Sequence, residues 1–152
     1  MLTLIGRYGR HLALATALVA TLTSLYFSLV LLWPPCDLCW YQRICMYPLV
    51  PILAVSVWRK SADTEAYVLP LALVGAGFAL YHYLIQKTTL FAPPICLSGV
   101  SCTTDNLNLF GFITIPLLSF VAFVLISALV ILAGWQSADE AETARAGKAT
   151  SR

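Results

Sequence analysis

Four apolar stretches separated by short polar breaks dominate the pattern along the chain. Residues 11–33 contain no Asp, Glu, Lys or Arg, and at about 1.5 Å per residue they form about 35 Å of helix, enough to cross a hydrocarbon core of about 30 Å with some tilt. The second run is tighter, since the apolar residues between Arg43 and Arg59 supply only about 22 Å of helix. A span over 40–58 therefore requires the preceding Cys36-Asp37-Leu38-Cys39 turn to lie at the bilayer surface. Trp40 and Tyr41 then fall in the aromatic belt of one interface and Trp58 in that of the other. Pro48 and Pro51 are expected to kink this helix, which neighbouring helices tolerate by satisfying the freed carbonyls. Residues 66–85 form a third span, in which Gly75 and Gly77 are expected to permit close helix approach. Residues 112–134 form the fourth. The pattern predicts an all-α integral membrane protein, a four-transmembrane-helix bundle in a single domain over 1–135. Two short extracytoplasmic loops carry cysteine pairs. Residues 136–152, rich in Ala, Glu, Ser, Arg and Lys, read as a cytoplasmic, disordered tail.

Composition supports the membrane assignment: 60% of the 152 residues are hydrophobic and 11% charged, too little polar surface for a soluble domain of this size. A cleaved signal peptide is a poor reading of the first stretch, because its apolar region exceeds the usual roughly 7 to 15 residues and Trp33-Pro34-Pro35 is a poor cleavage context. A formal charge of +2 with scattered bases points away from nucleic acid. Orientation follows from the bases. Arg7, Arg10, Arg59, Lys60, Arg145, Lys148 and Arg152 fall on one side of the four-span pattern, and only Arg43 and Lys87 on the other. This excess predicts both termini in the cytoplasm, with both cysteine loops on the side where disulfides persist.

The chemistry lies in those loops. Cys36 and Cys39 are spaced so that a disulfide can close across one helical turn, and Arg43 follows Cys39 by four residues on the same face. Pro34 and Pro35 stop the preceding helix and suit the first turn of a new one, placing the pair where the helix dipole favours a thiolate. Cys96 and Cys102 form a second pair in the long connection between the third and fourth spans. Two outward dithiol/disulfide pairs can relay electrons by thiolate attack through a mixed disulfide. A four-thiolate zinc site is the rival, but the Cys96–Cys102 spacing is wider than usual for zinc half-sites and an oxidising compartment competes for the thiols. Arg43 is either an activator of Cys39 or a snorkelling anchor, and its spacing favours the first. His82, between Tyr81 and Tyr83, is a candidate for a hydrogen bond to a ligand in the bundle, or equally a packed interfacial histidine. Cys45, inside the second span, is expected to be a small hydrophobe without a role.

The run Cys36-Asp37-Leu38-Cys39-Trp40-Tyr41-Gln42-Arg43 and the apolar span after it resemble the disulfide bond formation protein B family, DsbB and its shorter BdbC-like relatives. The likeness extends to the four-span topology and to the second cysteine pair. Tyr81-His82-Tyr83-Leu84 and Phe110-Gly111-Phe112-Ile113-Thr114-Ile115-Pro116 are similar to the shorter members. The resemblance implies a membrane thiol:quinone oxidoreductase that reoxidises a thioredoxin-like, DsbA-type partner outside the bacterial cytoplasmic membrane, with ubiquinone or menaquinone as the electron acceptor. It implies that Cys39 faces the quinone beside Arg43, that Cys36 exchanges with the second loop, and, by chain order, that Cys96 meets the partner and Cys102 resolves. Vitamin K epoxide reductase-like proteins also couple thiols to a quinone, but there the CxxC follows the loop cysteines, whereas here it precedes them.

Overall fold

The computed structural model describes residues 2–59, 63–88 and 114–150. Four helices follow one another, α1 (Leu2–Leu29), α2 (Asp37–Arg59), α3 (Thr64–Lys87) and α4 (Ile115–Thr150), with no strand among the described residues. Each contains a segment long and apolar enough to cross a membrane, at Tyr8–Leu29, Asp37–Arg59, Thr64–Lys87 and Ile115–Asp139. The expected all-α four-span bundle is what forms.

The helix ends depart from the sequence pattern in three places. First, α1 stops at Leu29, short of the expected Trp33. A residue before proline is pushed out of the helical region, and the chain turns ahead of Trp33-Pro34: Leu32 takes a φ of 53°. The amides of Val30 and Leu31 fold back to donate to the Tyr26 carbonyl at 3.0 and 3.3 Å, and that of Trp33 to the Phe27 carbonyl at 3.1 Å. The Trp33 ring then stacks on Phe27 at 5.4 Å. Second, both prolines precede α2 rather than occupying its first turn. Third, α4 continues through the segment read as a disordered tail and ends at Thr150. Ser137 to Thr150 is dominated by Ala, Glu, Arg and Lys, all strong helix formers, and the helix already running through the bundle needs no new nucleus to extend into them.

Each helix packs on its neighbour in sequence, α1 closes the ring against α4, and α2 and α4 barely meet across the centre. In this up-and-down arrangement the start of α1 and the end of α4 share one end of the bundle, tied there by Arg10, whose Nη2 donates to Ser137 Oγ at 2.6 Å. The start of α2, the end of α1 and the end of α3 share the other. The interior holds Leu49 and Leu53 from α2, Val68 from α3 and Phe123, Ile126 and Val130 from α4. Large apolar side chains also face outward, among them Leu22, Trp58 and Leu73. That is the surface of a bundle solvated by lipid rather than water. Trp40 and Trp58, both exposed, mark the two ends of α2 as aromatic belts would.

Small residues set the helix spacing. Gly9, Ala13 and Ala17 are buried at four-residue intervals on α1, and a Cβ at Gly9 would lie 2.7 Å from the Leu129 carbonyl oxygen of α4. Gly75 lies directly beneath the Phe123 ring, which occupies the space a Cβ would need. Gly77 faces open space, so of the two glycines expected to admit a neighbour only Gly75 does.

Candidate functional site

At the end opposite the termini, Cys36 forms the N-cap of α2: its carbonyl accepts the first helical bond, from the Trp40 amide at 3.1 Å, and its Sγ accepts from the Cys39 amide at 3.4 Å. A sulfur thus fills the role that a Ser or Asp oxygen usually plays. This geometry draws the two side chains together, with the sulfurs 2.8 Å apart and no disulfide bond between them. A bond between them would measure about 2.05 Å. Two thiolates sharing one tetrahedral zinc would stand about 3.8 Å apart, from Zn–S bonds of about 2.3 Å. Cys36, Cys39 and His82 bring their ligand atoms within 4.8 Å of one another, and the two sulfurs stand between those two spacings, closer together than a shared zinc would hold them.

The two cysteines face different surroundings. Cys36 is buried, with Leu38 and Ile85 packed around it, and its Sγ lies 3.8 Å from His82 Nε2. Its pKa is pushed up from 9.0 to about 12, first by its hydrogen bond to Cys39 and then by burial, while the His82 contact pulls it down. Cys39 is half-buried and lines a half-open cavity of about 530 Å³ between α1, α2 and α4, within the usual range for small-molecule sites. Its walls are mostly apolar, from Val19, Phe27, Leu118 and Phe123, with Gln42 and Arg43 bringing polar groups to the same end as Cys39. The cavity is thus apolar along its walls and polar at the end that holds Cys39.

Arg43 lines this cavity without projecting freely into it. Its Nη2 donates to the Ser24 carbonyl at 3.2 Å and to Ser28 Oγ, both on α1, and its guanidinium lies 5.5 Å from the centre of the Trp40 ring. His82 is not among the cavity's lining residues. It is buried on α3 against Cys36, where Gln42 Nε2 donates to its Nδ1 at 3.0 Å. Cys45 is buried in the core cluster. Cys96 and Cys102 lie outside the described residues.

Sequence reasoning missed Gln42, Ser24 and Ser28. Gln42 carries a usable signal, since a buried glutamine in an apolar span needs a partner and falls three residues after Cys39. The two serines carry none, because their part depends on how α1 and α2 dock.

The family profile described as "Disulfide bond formation protein DsbB" matches residues 6–133. The chain belongs to the DsbB family. Among curated relatives, the disulfide bond formation protein C of Bacillus subtilis (strain 168) is 50% identical over 111 residues, covering 72% of this chain and 80% of its own. The probable disulfide formation protein C 2 of Bacillus anthracis is 46% identical over 131 residues, covering 86% and 94%. A probable disulfide formation protein of Coxiella burnetii (strain CbuK_Q154) is 42% identical over 132 residues, covering 86% and 90%. No solved structure gives a significant match. The DsbB match includes the whole of α2 and α3, and with them Cys36, Cys39, Gln42, Arg43 and His82.

Proposed function

We propose that this multi-pass membrane protein is a protein-dithiol:quinone oxidoreductase, which generates disulfides and passes them to a thioredoxin-like, DsbA-type protein on the outer face of the bacterial cytoplasmic membrane. The observation that carries the reading is the double exposure of Cys39, whose sulfur is 2.8 Å from Cys36 on one side and lines the apolar cavity beside Arg43 on the other. The names of the relatives, disulfide formation proteins, support the same direction of chemistry.

In this scheme a reduced partner exchanges with the Cys96–Cys102 disulfide, and the dithiol so formed attacks the Cys36–Cys39 disulfide at Cys36. Cys39 leaves as the thiolate, on the cavity side. A ubiquinone or menaquinone bound in the cavity supplies a two-electron, two-proton acceptor. Arg43, held in place by the two serine contacts on α1, counters the negative charge developing at Cys39 and orients polar groups at that end of the cavity. The mostly apolar walls from α1 and α4 lower the effective dielectric around Cys39, which strengthens that electrostatic effect. Cys96 meets the partner and Cys102 resolves. Both termini lie in the cytoplasm, a placement supported by the excess of Arg and Lys at the end of the bundle where the chain begins and ends.

Anaerobic mixing of the purified protein with a reduced thioredoxin-like partner and a soluble quinone, followed by quinone absorbance, tests the function. Quinone is expected to be consumed one for one with partner disulfide formed. Partner oxidation without quinone loss, or neither, overturns the reading.

A further inference from the structure

The sulfur that must leave in the second exchange step is the one worse placed to carry charge. Cys36 is buried among Leu38 and Ile85. When it departs from the mixed disulfide with the second loop, Cys39 already carries the charge left by the first step and sits 2.8 Å away. An unassisted second thiolate there would be strongly disfavoured by both burial and like charge. Two nitrogens approach Cys36 Sγ: the Cys39 amide, which donates to it at 3.4 Å, and His82 Nε2 at 3.8 Å. On the far side of the imidazole, the Gln42 amide donates to Nδ1 at 3.0 Å. A ring nitrogen that accepts a hydrogen bond carries no proton in the neutral imidazole, so this contact selects the tautomer with the proton on Nε2, aimed at Cys36.

We propose that His82 is a catalytic hydrogen-bond donor to the Cys36 sulfur, held in the Nε2-protonated tautomer by Gln42 as its positioning residue. The inference rests on the exchange scheme above. In the step it serves, a second-loop thiolate forms a bond to the loop sulfur attached to Cys36. The bond from that sulfur to Cys36 breaks, and its electron pair stays on Cys36, where His82 Nε2–H stabilises it. Across the two exchange steps, two electrons pass from the second cysteine pair to the first, and no further oxidant or reductant enters. The role differs from the ligand contact expected from sequence, because His82 faces the sulfur that exchanges rather than the cavity. The downward pull of His82 on Cys36, against the upward push of Cys39 and burial, has the sign this role requires.

The test isolates Cys36 as a leaving group, with neither quinone nor partner present. In the full-length chain, Cys39, Cys45, Cys96 and Cys102 are replaced by alanine so that Cys36 is the only one of the five cysteines left. It is loaded with glutathione, and its release by dithiothreitol is timed by mass spectrometry. His82→Leu is expected to slow release about tenfold, since a donor to a developing charge is removed. His82→Gln, which keeps an N–H donor, should stay within about threefold of the histidine protein, and Gln42→Leu should fall between. Equal release from the His82 and His82→Leu proteins overturns the proposal. The nitrogen resonances of His82 in the unaltered protein give a second measurement that does not depend on any variant folding. A protonated Nε2 and bare Nδ1, with Nε2 moving between the disulfide and dithiol states, are expected; a protonated Nδ1 and bare Nε2, or an Nε2 indifferent to the redox state, overturns it. Failure of quinone consumption in the earlier assay would leave both of these measurements intact, so the two readings fail separately.

Discussion

Replacing Arg43 with methionine removes the charge while keeping most of the apolar stem, and the structure separates what is lost into two parts. The first is docking of α2 on α1. The guanidinium donates to the Ser24 carbonyl and to Ser28 Oγ and lies over Trp40. Hydrogen bonds from a charged donor contribute about 1.5–3 kcal/mol when desolvated and the cation–π contact about 0.5–1 kcal/mol when exposed. Arg43 is only partly buried, so the lower ends apply, and about 2 kcal/mol of stability is expected to go. The second part is electrostatic. Side chains four residues apart on a helix stand about 6 Å from each other, and at an effective dielectric of about 20 a unit charge there interacts with a charged sulfur by about 3 kcal/mol, or roughly 100-fold in rate at most. Quinone reduction by Arg43→Met is therefore expected to fall about 10- to 100-fold. Arg43→Lys keeps the charge but loses the fork that reaches both α1 acceptors, and should fall between it and wild type. Exchange at the second loop should be nearly unchanged, so a mixed disulfide with the partner still forms. The assay is the quinone rate and apparent quinone affinity of both variants, with detergent-extracted yield and unfolding midpoint reporting the docking loss. If Arg43→Met turned over quinone as fast as wild type while losing stability, Arg43 would be an interhelical anchor and the electrostatic argument would be wrong.

Gly75→Ala drives a Cβ into the buried Phe123 ring and should cost about 1–3 kcal/mol, whereas Gly77→Ala, facing open space, should be neutral or stabilising by up to about 1 kcal/mol; unfolding midpoints in detergent distinguish them, and equal effects would mean that α3 and α4 are not packed as described. The raised Cys36 pKa makes the dithiol form pH-sensitive in a defined sense. A group that holds its proton more tightly when folded contributes stability that is complete below its unfolded value, 9.0, and is lost as pH rises toward about 12. Thermal unfolding of the reduced protein should weaken across that alkaline window more than that of the oxidised protein, and parallel curves would refute the upward shift at Cys36. Impermeant thiol labelling of reduced, intact cells should reach the cysteine loops without permeabilisation; labelling only after permeabilisation would reverse the topology and end the relay.

The number of helices, their apolar character and the position of the cysteine turn at a helix start were all legible in the sequence, because each is a local consequence. A stretch of apolar residues long enough to cross lipid must satisfy its own backbone, and a helix is how it does so. Two prolines before Cys36 end one helix, and a cysteine four residues before the Trp40 amide can cap the next. The shortness of the apolar run after Arg43 likewise placed the redox turn at the end of a span without reference to any other helix. What only the tertiary structure decided is which groups meet across helices. That Arg43 is held by Ser24 and Ser28, that the cavity at Cys39 is walled by α1 and α4, and that His82 lies against Cys36 rather than in the cavity all depend on the rotation and depth at which the helices dock. Those are set by contacts such as Gly75 under Phe123 and Gly9 against Leu129, between residues far apart in the chain. A serine on a lipid-length helix reads the same whether it faces an arginine or a fatty acyl chain. The side chain it meets is fixed by the packing of its neighbours, a sum of many small dispersion contacts that no short window of sequence contains.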